Sequence, residues 1–111
     1  MDAHERSQLV VEWNGHQRTV DAAADSKICL GATDGCDVQV ARPFSSRDHA
    51  CIKHDQGYFV LVDRSTNGTF VQTEDERISF VRRAEIRLWG EGYISLGEPL
   101  CQESAIRFQH T

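Results

Sequence analysis

The chain has 111 residues, 40% of them hydrophobic, with 17 acidic side chains against 12 Lys and Arg and a formal net charge of −5. That length fits one compact domain with a modest core. The acidic balance argues against a dedicated nucleic-acid binder, which presents a basic face, though it leaves room for a small basic pocket. The longest wholly apolar run, Tyr58 to Val62, is far too short to span a bilayer, and no basic N-terminal stretch leads into an apolar core. The expectation is a cytoplasmic chain with no membrane and no nucleic-acid partner.

Residues 1–8 are polar at their start and are expected to be a flexible segment, with one domain over residues 9–111. Leu9 to Trp13, then Asn14-Gly15, then His16 to Val20 reads as a β-hairpin, because Asn-Gly accepts the positive φ angles of a type I′ turn. Lys27 to Leu30 predicts a short strand ended by Gly31, and Asp37 to Val40 alternates polar and apolar as a half-buried strand should. Pro43 ends that run. Ala50-Cys51-Ile52 begins another strand, which Asp55-Gln56-Gly57 turns back into Tyr58 to Val62. This last run lacks alternation and is rich in β-formers, which places it in the middle of the core. After the polar loop Asp63 to Gly68, strands are expected at Thr69 to Val71, Tyr93 to Leu96 and Ala105 to Phe108. Glu74 to Leu88 is ambiguous. Ile78, Val81, Ala84 and Leu88 suit a helical stripe, whereas Ile78, Phe80, Ala84, Ile86 and Leu88 share one parity and suit two strands broken near Arg82-Arg83. The short strands around it favour an all-β sandwich or barrel of roughly ten strands.

The four cysteines, Cys29, Cys36, Cys51 and Cys101, contain no C-x-x-C pair and are too sparse for a secreted disulfide scaffold, so reduced, mostly buried thiols are expected. The five histidines, His4, His16, His49, His54 and His110, form no H-x-x-x-H pair, so neither metal nor cofactor is expected.

Two polar segments flank the same predicted hairpin: Ser46-Arg47-Asp48-His49-Ala50 and Asp63-Arg64-Ser65-Thr66-Asn67-Gly68-Thr69. The hairpin leaves one end of its sheet and returns to it, so both segments belong at that end. With Leu30-Gly31, Cys36-Asp37-Val38, Ala50-x-Ile52 and Phe59-x-Leu61 in register around them, the pattern resembles a forkhead-associated (FHA) domain over about residues 9 to 109. The resemblance implies an all-β sandwich of about eleven mostly antiparallel strands that binds phosphothreonine peptides through loops at one end, without catalytic residues. The stretch Arg82-Arg83-Ala84-Glu85-Ile86 to Gly97 is similar to FHA domains appended to bacterial class III adenylate or guanylate cyclases, which would make the chain a regulatory piece of a larger signalling protein.

By this resemblance Ser46, Arg47, Thr66 and Asn67 contact the phosphopeptide. Ser46 donates its hydroxyl to phosphate, Arg47 offers a guanidinium, and the Asn67 amide pairs with peptide backbone. Gly31, His49 and Gly68 shape the loops. A catalytic His49 would need a nucleophile and an orienting partner, and none is suggested. The departure from the pattern is Ala32, which follows Gly31 where the family has its principal phosphate-binding arginine. Losing one charge-assisted bond of about 1.5–3 kcal/mol weakens binding roughly 10- to 150-fold. Arg42 and Arg64 are candidate compensating charges, and Thr33 adds a hydroxyl without charge. Two functions therefore stand side by side: weakened phosphothreonine recognition, or phosphate-independent interaction or homodimerisation that regulates an attached cyclase. Exposed apolar side chains would favour the second. Trp13, Phe44, Phe80 and Trp89 are the candidates, with core packing the ordinary expectation for each, least so for Phe44.

Overall fold

The computed structural model describes residues 7–23 and 26–111, and these form eleven strands. Residues 1–6 of the expected flexible segment, His4 among them, lie outside the described residues. Ser7 and Gln8 do not behave as part of it: the Ser7 carbonyl accepts the Ala22 N–H at 2.9 Å, and Gln8 opens the first strand. The strands are β1 Gln8–Trp13, β2 His16–Asp21, β3 Lys27–Gly31, β4 Val38–Gln39, β5 Ala50–Asp55, β6 Tyr58–Asp63, β7 Thr69–Gln72, β8 Ile78–Val81, β9 Glu85–Leu88, β10 Glu91–Leu96 and β11 Ile106–His110. Among the described residues no helix is long and apolar enough to cross a membrane.

Two sheets make the sandwich. One has the order β2-β1-β11-β10-β7-β8, the other β4-β3-β5-β6-β9. All pairings are antiparallel except β3 with β4. The alternation of each strand delivers one parity to the space between the sheets. Leu9 and Val11, Ile94 and Leu96, and Ile106 and Phe108 come from the first sheet. Ile28 and Leu30, Ala50 and Ile52, and Phe59 and Leu61 come from the second, all buried in one cluster. The Asn14-Gly15 turn has φ values of 52° and 83°, as a type I′ hairpin requires, and Gln56-Gly57 repeats the pattern at 49° and 89°.

The ambiguous segment is two strands, and the break at Arg82-Arg83 is where the chain leaves the first sheet for the second. Arg83 takes a left-handed φ of 55° to make that crossing. The shared parity of Ile78, Phe80, Ile86 and Leu88 is not one buried stripe. Leu88 is in the core and Ile86 packs against it, whereas β8 is the outermost strand of its sheet and leaves Ile78 and Phe80 exposed. Tyr58 also departs from its expected core position. It stands on the outward parity of β6, exposed, with the Arg87 guanidinium 3.8 Å from its ring centroid. Phe44 and Trp89 are exposed too, and of the four candidate aromatics Trp13 alone packs on the core. Of the thiols, Cys36 and Cys51 are buried, Cys29 is half-buried and Cys101 is exposed, so burial covers fewer of them than expected.

Candidate functional site

The loops that follow β3, precede β5, link β6 to β7 and follow β10 meet at one end of the sandwich. Their meeting is built on two buried polar residues. Asp63, at the end of β6, is buried and accepts the Thr69 hydroxyl at 2.6 Å, the Ser65 hydroxyl at 2.8 Å, the Ser65 N–H at 3.0 Å and the Arg83 N–H at 2.8 Å. Burial alone would raise its pKa, but these donors outweigh burial and hold it below the ordinary carboxylate value. The short Asp-x-Ser spacing makes this turn local, since Ser65 bonds back to the carboxylate two residues earlier. Gly68 then takes a φ of 86°, with the Phe80 ring lying directly against its Cα.

His49 is fully buried and joins two loops. Its Nδ1 accepts the Ser46 N–H at 2.9 Å, and its Nε2 lies 2.7 Å from the Gly68 carbonyl. An Nδ1 that accepts leaves the proton on Nε2, so the ring is neutral and its tautomer is set by its partners. Burial lowers its pKa, opposed by the Gly68 carbonyl and by Asp63, whose carboxylate is 3.7 Å away. Gly31 is needed for close approach, because a Cβ there would fall 2.1 Å from the Arg47 carbonyl oxygen.

The four expected contact residues come together. The Ser46 hydroxyl accepts the Thr66 N–H at 3.3 Å, and the Asn67 Nδ2 donates to the Phe44 carbonyl at 3.1 Å. Arg47 and Thr66 are exposed, and among the described residues neither side chain has a hydrogen-bond partner. Ala32 lies at the edge of this face. Its N–H donates to the Ser46 carbonyl at 2.9 Å and Thr33 N–H to the Arg47 carbonyl at 3.3 Å, so the loop after β3 contributes backbone and no cation.

The two candidate compensating arginines are placed differently. Arg42 is held by Glu98 through two hydrogen bonds of 2.7 and 3.0 Å, which tie the loop before β5 to the loop after β10. Arg64 lines a shallow cleft with Lys27, Cys29, Asp37 and Asp48, in which neither Ser46 nor Asn67 takes part. Sequence reasoning missed two further cations. Arg82 Nε donates to the Thr66 carbonyl at 2.8 Å, and Arg83 Nε donates to the Ser65 carbonyl at 3.3 Å. In the sequence they marked a break between strands and the start of the stretch to Gly97, with no sign that they reach the loop of Ser65 and Thr66. Phe44 and Phe80, both exposed, adjoin Asn67-Gly68: the Phe44 backbone carbonyl accepts from Asn67, and the Phe80 ring lies against Gly68.

This arrangement is a face built from loops at one end of a two-sheet sandwich. One protein similar in fold and sequence is the first FHA domain of Rv1747 from Mycobacterium tuberculosis.

 Its solved structure is 27% identical to this chain, covering 95% of this chain and 97% of that one, with a TM-score of 0.73. The corresponding full-length relative, the ABC transporter ATP-binding/permease protein Rv1747 of the same organism, is 38% identical over 64 residues. That match covers 57% of this chain and spans 7% of the relative's length. The N-terminal FHA domain of Rad53p from S. cerevisiae, solved in complex with a phosphothreonine peptide, is 18% identical, covers 95% of this chain and 91% of that one, and has a TM-score of 0.61, a likeness of fold. The family model described as FHA domain matches residues 28–97, well over half of the chain and including Gly31, Ser46, Arg47, His49, Thr66, Asn67 and Gly68. With the two-sheet sandwich and its knitted loops, that match makes this chain a member of the FHA-domain family.

Proposed function

We propose that the chain is a non-catalytic interaction module whose loop face takes an extended peptide bearing phosphothreonine, with reduced affinity for the phosphate. Ser46 and Thr66 offer hydroxyls to the phosphate oxygens, Arg47 offers charge, and Asn67 pairs with peptide backbone. The observation that carries the reading is the convergence of these four residues on one face, with the Arg47 and Thr66 side chains unengaged among the described residues. Weak phosphate affinity follows from Ala32, whose loop supplies no cation, and from the commitment of Arg42 to Glu98.

The test is an amide NMR titration with a phosphothreonine peptide library and its unphosphorylated counterpart. The expected result is saturable shifts at Ser46, Arg47, Thr66 and Asn67 with the phosphorylated library only. Ala32→Arg should tighten binding by roughly 10- to 150-fold, the value of one charge-assisted contact. Equal shifts with both libraries would overturn the phosphate-dependent reading.

A second reading is favoured by the exposed Phe44 and Phe80 beside Asn67-Gly68: a phosphate-independent contact, or self-association, on the same face. The pattern from Arg82 to Gly97 supports attachment to a nucleotide cyclase, which acts as a dimer. Cyclase activity and oligomeric state compared with and without this domain would decide that attachment, and equality of both would remove it.

A further inference from the structure

Outside the peptide face, one cluster of nucleophilic side chains has no role in the reading above. Cys29 lies in β3 and Cys36 just before β4, two strands that pair in parallel with Leu30 opposite Val38. Their sulfurs are 2.7 Å apart, closer than two unbonded sulfurs rest. The Asp48 carboxylate lies 3.7 Å from each sulfur, and the Asp37 carboxylate accepts the Cys29 N–H at 2.8 Å. Two thiolates on one zinc ion would stand about 3.8 Å apart at tetrahedral angles, so the pair is too close for a shared metal and suits a direct bond.

We propose that Cys29 and Cys36 form a reversible disulfide that locks the loop between β3 and β4. The oxidant is a low-molecular-weight disulfide of the glutathione class. The Cys29 thiolate, the more accessible of the two, attacks one sulfur of that disulfide, breaks its S–S bond and expels one thiolate, which takes up a proton. The Cys36 thiolate then attacks the Cys29 sulfur, forms the Sγ–Sγ bond and expels the second thiolate. The two cysteines lose two electrons and two protons, and the oxidant becomes two thiols. Burial, the neighbouring sulfur and Asp48 push the Cys36 thiol up to about 12, and burial leads in raising Cys29. Exchange is therefore slow, and equilibrium rather than rate is the useful readout.

The bond encloses Gly31, Ala32 and Thr33, whose backbone is already tied to the loop of Ser46: the Ala32 N–H to the Ser46 carbonyl and the Thr33 N–H to the Arg47 carbonyl. Oxidation would thus fix the edge of the recognition face, and the proposal stands whether or not that face binds phosphate.

The experiment equilibrates the 111-residue chain in glutathione buffers of graded poise, traps free thiols with an alkylating reagent and maps them by mass. Two thiols, Cys29 and Cys36, should become protected together. Cys29→Ser should abolish protection, while Cys51→Ser and Cys101→Ser should leave it intact. Cys29 is half-buried, so its serine variant keeps the test available should Cys36→Ser fail to fold. The oxidised form should melt higher by on the order of 5–10 °C, with slower hydrogen exchange at Ala32 and Thr33. Alkylation of all four thiols at every poise, protection that includes Cys51 or Cys101, or protection that requires added zinc and is lost to a chelator would overturn the proposal.

Discussion

His49 ties two of the site's loops together. Both ring nitrogens are engaged, with the Ser46 N–H and the Gly68 carbonyl. Truncation to Ala leaves a buried donor and a buried acceptor unpaired and opens a void, which should cost about 2–4 kcal/mol of stability by denaturant titration. The same contacts set a pH dependence. Burial lowers the folded-state pKa of His49 below the ordinary 6.5, so the unfolded chain takes the proton first as the pH falls. Stability from this residue is fully present above about 6.5 and declines as the pH drops toward the lowered folded value. Asp63 adds a second loss at lower pH, beginning near its ordinary 3.8, because hydrogen bonds in the folded state hold its pKa down against burial. Thermal melts across this range should show the His49 step in the wild type and its absence in His49→Ala.

At the scale of elements, the loop face is held by connections between loops far apart in the chain. Arg42 and Glu98 are 56 residues apart, and each shifts the other: Glu98 raises the Arg42 pKa, and Arg42 holds Glu98 below its ordinary value. Glu98→Ala should speed hydrogen exchange in the loop after β10 and in the loop before β5. High salt should reproduce part of that effect, since the pair is partly exposed. Unchanged exchange in both loops would mean that the pair does not couple them. Such a pair cannot be read in the sequence, because nothing local brings residue 42 to residue 98. What could be read was local: the Asn14-Gly15 hairpin, the alternation of Asp37 to Val40 around β4, the strands at β3 and β10, and the return of β5 and β6 to one end. The exposure of Ile78 and Phe80 was not legible, because parity gives a strand's faces but not whether a second sheet covers one of them. Arg82 and Arg83 were hidden for a related reason. Their contacts with Thr66 and Ser65 exist only because the chain changes sheets at that point.

For the whole molecule, a net charge of −5 coexists with a cluster of arginines around one pole: Arg47, Arg82 and Arg83 by the loops, and Arg64 in the adjoining cleft. Phosphopeptide affinity should therefore fall with ionic strength while the domain as a whole stays soluble. The open edge at β8 works against that solubility, since Ile78 and Phe80 stand on an outer strand without cover among the described residues. Ile78→Lys should change stability by less than about 0.5 kcal/mol. It should also suppress any concentration-dependent association seen by sedimentation. Association unaffected by this change would place the contact elsewhere, with Phe44 the next position to test.

The pairing of β1 with β11 gives the molecule a mechanical character. The Thr111 N–H donates to the Gln8 carbonyl at 2.9 Å, so the described chain enters and leaves side by side, at the pole opposite the loops. Tension applied between these two points acts across an antiparallel pair and opens its hydrogen bonds one after another rather than all at once. The domain should thus yield to a small pulling force, and its rupture should begin at the end farthest from the loop face.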